Sequence, residues 1–237
     1  MKIIAGPAAP IEAFGEITPV DETGLFHDCG TLKAMPASFW AATSVGQRAL
    51  FGHTHGIYSF PTLEAVEFIR NAIFGRERQT IEIGAGMGQW SKALDIRATD
   101  SYLQRRPDVV KQYLDAGQKP APYGPHVRKY EAMKAVREFR PTIVVASWVT
   151  QKFRADRFCV RGNVDGVDEL RLLEYVDEYI FIGSTASHGD KMIFDDLSKG
   201  TLSHRVQAIL AQNVYSRAQQ GQDFIIHLVR KDKRHAG

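Results

Sequence analysis

From residue 79 onward, short apolar, β-branched runs alternate with amphipathic stretches of helical period. The runs at 80–83, 96–99, 127–130, 142–148, 178–183 and 224–230 read as strands. Between them, 88–94, 107–116, 132–139, 167–175 and 191–199 read as helices, while 204–211 fits either state. The run Thr-Ile-Val-Val-Ala-Ser-Trp at 142–148 is apolar almost throughout, as a strand buried on both faces should be. Strands alternating with helices predict an α/β fold with a doubly wound, mostly parallel sheet covered on both sides. A strong amphipathic helix is expected at 63–74, capped by Thr62 and stopped by Gly75. Residues 1–61 break this rhythm. Their apolar positions are scattered, with one helix expected at 39–50 behind Ser38 and a glycine- and histidine-rich loop at 51–62.

The chemistry concentrates between residues 80 and 100. The strand at 80–83 runs into three alternating glycines, Gly84, Gly86 and Gly88, and the strand at 96–99 ends on Asp100. Glycines in a strand-to-helix turn allow positive φ and let the backbone approach a ligand closely. An acidic residue closing the second strand can accept hydrogen bonds from both hydroxyls of a ribose. This logic serves any adenosine-bearing cofactor, and a tight turn in an unrelated α/β domain would look similar. A dinucleotide fingerprint requires a further glycine where Gln89 stands, and its pyrophosphate would sit poorly beside Glu82. A cofactor with a sulfonium and an ammonium suits that carboxylate better.

The stretch resembles motif I of the class I S-adenosylmethionine-dependent methyltransferases, and the pattern extends over residues 62–230. A relation is also visible to bacterial and viral methyltransferase-like proteins with a Gly-x-Trp after the glycine loop. The resemblance implies a Rossmann-like domain at 62–237 with an antiparallel C-terminal strand, and an N-terminal extension at 1–61 acting as a lid. It implies S-adenosylmethionine as cofactor and S-adenosylhomocysteine as product. Glu82, Gly84, Ala85, Gly86 and Gly88 would line the methionine and ribose side. Asp100 would hold the ribose, Ser101 and Tyr102 would pack on the adenosine, and Glu131 or Ala132 would sit beside the adenine. Functional residues are expected after the strand at 142–148, where Ser147, Trp148 and Thr150 stand. No Asn/Asp-Pro-Pro-Tyr follows there, and Cys159 lacks a preceding proline. Both departures argue against amino-methylation of bases and C5-methylation of cytosine.

Displacement at a sulfonium demands placement of the nucleophile more than acid–base help. Trp148 offers a surface for a planar acceptor or packs on the core. His188, in the 184–190 loop, is a candidate general base or a histidine held by backbone. In the aromatic-rich 51–62 loop, placed where the family can fold over the methionine end, His55 is a catalytic candidate and Tyr58 a candidate cofactor contact. His53 and His55 lack further ligands at metal spacing, so no metal is expected. The acceptor expected is a small molecule or an exposed polar group. A non-catalytic scaffold and a nucleic-acid-modifying enzyme are the alternatives, the latter only through the basic cluster at 230–234.

The bulk properties agree with a globular protein. The chain has 237 residues, 44% of them hydrophobic, and a net charge of +3. No apolar run is long enough for a membrane span, and the first residues are too weakly apolar for a secretory signal. Two cysteines far apart, Cys29 and Cys159, are expected as free thiols in a reducing cytoplasm.

Overall fold

The computed structural model describes residues 16–156 and 162–231. Cys159 and the basic positions Lys233 and Arg234 lie outside the described residues. The elements run α1 (Ala37–Ala41), α2 (Val45–His55), β1 (Ser59–Phe60), α3 (Leu63–Ile73), β2 (Thr80–Ile83), α4 (Gln89–Leu94) and β3 (Arg97–Asp100). They continue with α5 (Pro107–Asp115), β4 (Val127–Lys129), α6 (Ala132–Phe139), β5 (Ile143–Ser147), α7 (Glu169–Leu172) and β6 (Glu178–Ser184). The last are α8 (Thr185–His188), α9 (Met192–Ser198), β7 (His204–Leu210), β8 (Tyr215–Ser216) and β9 (Asp223–Arg230).

Seven strands form one sheet in the order β4-β3-β2-β5-β6-β9-β7. β4, β3, β2, β5 and β6 are parallel, and β9 is antiparallel to both β6 and β7. This is the expected Rossmann-like α/β sheet with an antiparallel C-terminal strand. The strand order reverses between β2 and β5, so a crevice opens at their carboxyl ends. Side chains alternate strictly across the sheet. Val144, Ala146, Tyr179 and Phe181 pack on one face with Val136 of α6, Leu172 of α7 and Ile193 of α9. Ile143, Val145, Ile180 and Ile182 pack on the other with Val66 and Ile69 of α3 and Trp90 of α4. This double burial is why β5 reads as an unbroken apolar run.

Four stretches differ from or sharpen the expectation. The helix expected at 39–50 is two helices, and the second runs through the supposed loop to His55. Ser44 and Gln47 close a reciprocal capping box, with Gln47 N donating to Ser44 Oγ at 3.1 Å and Ser44 N to Gln47 Oε1 at 2.9 Å. Of the stretch 204–211, which fits either state by pattern, His204–Leu210 is a strand because it pairs with β9, with an irregularity between Val206 and Ala208. The 184–190 loop contains the short helix α8, and the helix expected at 167–175 shrinks to one turn behind the Asp168 cap.

The N-terminal segment builds its own apolar cluster from Leu25, Leu32, Trp40, Phe51, Ile57 and Phe60. It joins the rest through α3 and through β1, which pairs antiparallel with β8. Among the described residues no helix is long and apolar enough to cross a membrane.

Candidate functional site at the carboxyl ends of the strands

The glycine loop stands at the end of β2. Gly84, Gly86 and Gly88 have φ of 60°, 53° and 72°. Two of them are also required by close approach. A Cβ on Gly84 would lie 2.6 Å from Val149 Cγ1, and one on Gly88 would lie 2.5 Å from His126 Nε2. Asp100 ends β3 beside this loop and accepts from Gly86 N at 2.9 Å and from Tyr102 N at 2.8 Å. Burial raises the Asp100 pKa, and those two N–H bonds oppose the rise.

Glu82 is the most perturbed acid of the site. It is 1% exposed, and its Oε2 accepts from Ser91 N at 2.8 Å. Its Oε1 is buried without a partner. Burial pushes its pKa up to about 8, against the pull of Ser91, with Asp100 adding to the rise. The folded pKa therefore lies above that of the unfolded chain, near 4.5. Stability is then highest below about pH 4.5 as far as this group is concerned, and is lost as pH rises towards 8. Replacing Glu82 with Gln is expected to flatten that decline. Urea midpoints compared at several pH values between 5 and 8 check it.

Ser147, at the end of β5, bonds Ser59 Oγ of β1 at 2.6 Å, and Ser59 Oγ also accepts from Trp90 Nε1 at 2.8 Å. Gln89 Nε2 donates to Ser59 O at 3.3 Å, while Gln89 Oε1 is buried without a partner. The N-terminal segment is thereby tied to the glycine-loop helix and to β5. Trp148 takes φ 56°, and its Nε1 is buried without a partner. Its ring meets the edge of His188 at 4.9 Å and lies 5.8 Å from Tyr58. His188 Nδ1 accepts from Ser184 N at 3.1 Å, so the neutral ring carries its proton on Nε2. That bond fixes the ring beside the end of β6.

Other expected residues lie apart. His55 sits in the last turn of α2, bonded to Glu22 at 2.7 Å and packed on Phe26 and Phe51. Glu131 is exposed at the start of α6, 3.8 Å from Lys134, next to the partly buried Ala132. Ser101 Oγ accepts from Leu103 N at 3.3 Å. Arg230 of the basic cluster is engaged within the chain, with Asp177 and the carbonyls of Leu173, Glu174 and Val176. Among the described residues, no group of three acids, histidines or cysteines could hold a metal.

The connection from β3 to β4 was not foreseen in this place. Of α5, only Val109 is buried, and Tyr113 Oη meets Tyr58 Oη at 3.1 Å. The following segment crosses the glycine loop, where Gly124 N donates to Gly86 O at 3.2 Å. A Cβ on Gly86 would come within 4.0 Å of Ala121 and Pro122. Tyr123 stacks on Tyr102 at 4.1 Å, and Arg105 lies 5.1 Å above the Tyr123 ring. Gln104 fastens the segment by accepting from Ala121 N and donating its own N–H to Tyr123 Oη at 3.0 Å. An aromatic side chain of the protein thus occupies the face of Tyr102, where the adenosine was expected.

No protein-family model matches the chain, and no curated protein sequence matches it. Among solved structures, the chain is similar to one from Pyrococcus horikoshii described as a candidate RNA methyltransferase. Identity is 13%, with 80% of this chain and 85% of the other covered, at a TM-score of 0.39. It is also similar to the precorrin-6y C5,15-methyltransferase of Geobacter metallireducens, at 12% identity, 72% and 89% coverage and a TM-score of 0.37. A third is the Pyrococcus abyssi tRNA (uracil-54, C5)-methyltransferase in complex with S-adenosyl-L-homocysteine, at 12% identity, 70% and 38% coverage and a TM-score of 0.38.

Proposed function

We propose that this chain is an S-adenosylmethionine-dependent methyltransferase, with its donor site on the glycine loop and its acceptor site between β5, β6 and Tyr58. One observation carries the reading most. At the point where the strand order reverses, Asp100 and the three positive-φ glycines form a cradle beside Glu82, whose inner oxygen has no partner. An ammonium-bearing ligand would satisfy Glu82 Oε1 and Gln89 Oε1, both buried and without partners.

When bound, the donor supplies an electrophilic methyl group on a sulfonium. The chain's own residues then have three tasks. Asp100 holds the ribose hydroxyls, exchanging part of its bonding to Gly86 and Tyr102. Glu82 would hold the ammonium, and a positive charge beside its buried carboxyl would lower its pKa. Trp148 and Tyr58 wall the path by which a planar or polar acceptor approaches, and exclude water from it. A small molecule or an exposed polar group suits this aromatic wall.

Binding requires residues 119–126 to lift from Gly86 and Tyr123 to leave Tyr102. Replacing Tyr123 with Ala is therefore expected to speed association of S-adenosylhomocysteine several-fold, read by stopped-flow tryptophan fluorescence. An unchanged rate would mean that Tyr123 is no barrier to entry. A second reading, a scaffold without catalysis, is favoured by the same covering segment. A thermal melt tests the donor site itself. Mass action predicts that S-adenosylhomocysteine at 100 times its Kd raises stability by about 2.7 kcal/mol. No shift at millimolar ligand would leave the scaffold reading standing.

A further inference from the structure

Arg217, just after β8, is a buried cation without a counter-charge. It is 8% exposed, and its backbone N donates to Tyr58 O at 3.0 Å. Its guanidinium carbon lies 3.6 Å from the centre of the Tyr58 ring, and Nη1 is buried without a partner. Among the described residues no carboxylate forms an ion pair with it. A guanidinium cannot relieve this by losing a proton. Contact with an aromatic face falls well short of what burying a charge costs.

The fold is built around this arginine. Gly52 of α2 leaves room for it, since a Cβ there would collide with Arg217 Cβ and would lie 3.1 Å from its Cδ. Tyr113, whose hydroxyl is bonded to that of Tyr58, feels the charge of Arg217, and Trp148 lies 5.8 Å from the Tyr58 ring. Gln112 Oε1, one residue from Tyr113, is also buried without a partner.

We infer that Arg217 is an anion subsite that anchors a carboxylate ligand against Tyr58. A single negative charge fits. The nearby His53 is held neutral at pH 7, its pKa pushed down to about 4 by burial and by Arg217 itself. A phosphate, carrying about −1.5 to −2 charges, would exceed the one cation present. The carboxylate could belong to the amino-acid end of the methyl donor or to an acidic acceptor. The inference rests on the proposed function only for that choice of source.

Calorimetry on the full chain separates the possibilities, using wild type and Arg217→Gln. The donor arm compares S-adenosylhomocysteine with its decarboxylated analogue. If the donor is the source, loss of the carboxylate weakens wild-type binding at least 30-fold and the variant's binding less than threefold. The acceptor arm compares benzoate with benzamide, with and without S-adenosylhomocysteine. If the acceptor is the source, wild type prefers benzoate at least tenfold, the variant shows no preference, and the two donor compounds bind wild type alike. Benzoate discrimination in a protein that ignores S-adenosylhomocysteine would keep the anion subsite and remove the methyltransferase reading. Should Arg217→Gln fail to fold, the Arg217 Nε–Hε resonance of the wild type is followed during both titrations. A shift with the carboxylate ligand and none with its neutral partner supports the subsite. Equal behaviour of carboxylate and neutral ligands in both arms overturns it.

Discussion

Asp100→Ala is expected to abolish binding of S-adenosylhomocysteine, weakening it at least 100-fold, and to destabilise the protein without ligand. The carboxylate does two jobs from one place. It would receive the ribose, and it already accepts the N–H groups of Gly86 and Tyr102. Removing it orphans both donors at a site where the residue is only 9% exposed. Each unsatisfied buried donor costs roughly 1–3 kcal/mol, and two are orphaned, so a loss of roughly 2 kcal/mol or more is expected in urea unfolding. Asp100→Asn keeps one acceptor but turns an amide toward the second N–H, and should fall between wild type and Ala. A calorimetric titration beside the urea curves checks both effects. Unchanged ligand affinity in a folded Asp100→Ala protein would remove Asp100 from the donor site.

The largest expected loss of stability comes from Lys191→Met. Lys191 and Glu169 form an ion pair whose side chains are each only 2% exposed. The ammonium also donates to Val149 O at 2.9 Å and lies 4.7 Å from the Phe181 ring, while Glu169 Oε1 accepts from Tyr179 Oη at 2.6 Å. Burial pulls the Lys191 pKa down, and Glu169 opposes that fall. With methionine in place of lysine, Glu169 keeps its burial and loses its counter-charge. Breaking one side of such a pair costs about 3–5 kcal/mol. Replacing Glu169 with Leu as well removes the stranded charge, and most of the stability should return. The double-mutant comparison in urea reads this directly. A fully additive double mutant would show that the two charges do not support each other. Val149 follows Trp148, so the single variant also loosens the backbone on which the proposed acceptor wall stands.

Much of the fold was legible because its determinants are local. The β-branched run of β5, the Thr62 cap of α3 and the proline and glycine around α5 each act within a turn or a strand. The glycine loop and Asp100 were legible for the same reason, being joined by adjacent strands. The misread helix at 39–50 was also a local matter. Ser44 and Gln47 carry the spacing of a capping box, but the apolar residues around them suggested one continuous helix. What could not be read is what long-range contact creates. Ser59 and Ser147 meet across 88 positions of sequence. The strand state of 204–210 depends on β9 as its partner. Tyr123 sits in a proline-rich segment whose composition announces turns and says nothing of the surface it covers. Arg217 has no motif around it, and its importance lies in burial beside Tyr58. The raised pKa of Glu82 likewise comes from what packs around it.

The most direct test is a crystal structure of the chain with S-adenosylhomocysteine. The account predicts the ribose hydroxyls on Asp100, the amino group beside Glu82 and Gln89, and residues 119–126 displaced from Gly86 with Tyr123 off Tyr102. A structure in which Tyr123 remains stacked on Tyr102 and the glycine loop holds no ligand, from crystals grown in millimolar S-adenosylhomocysteine, would contradict it.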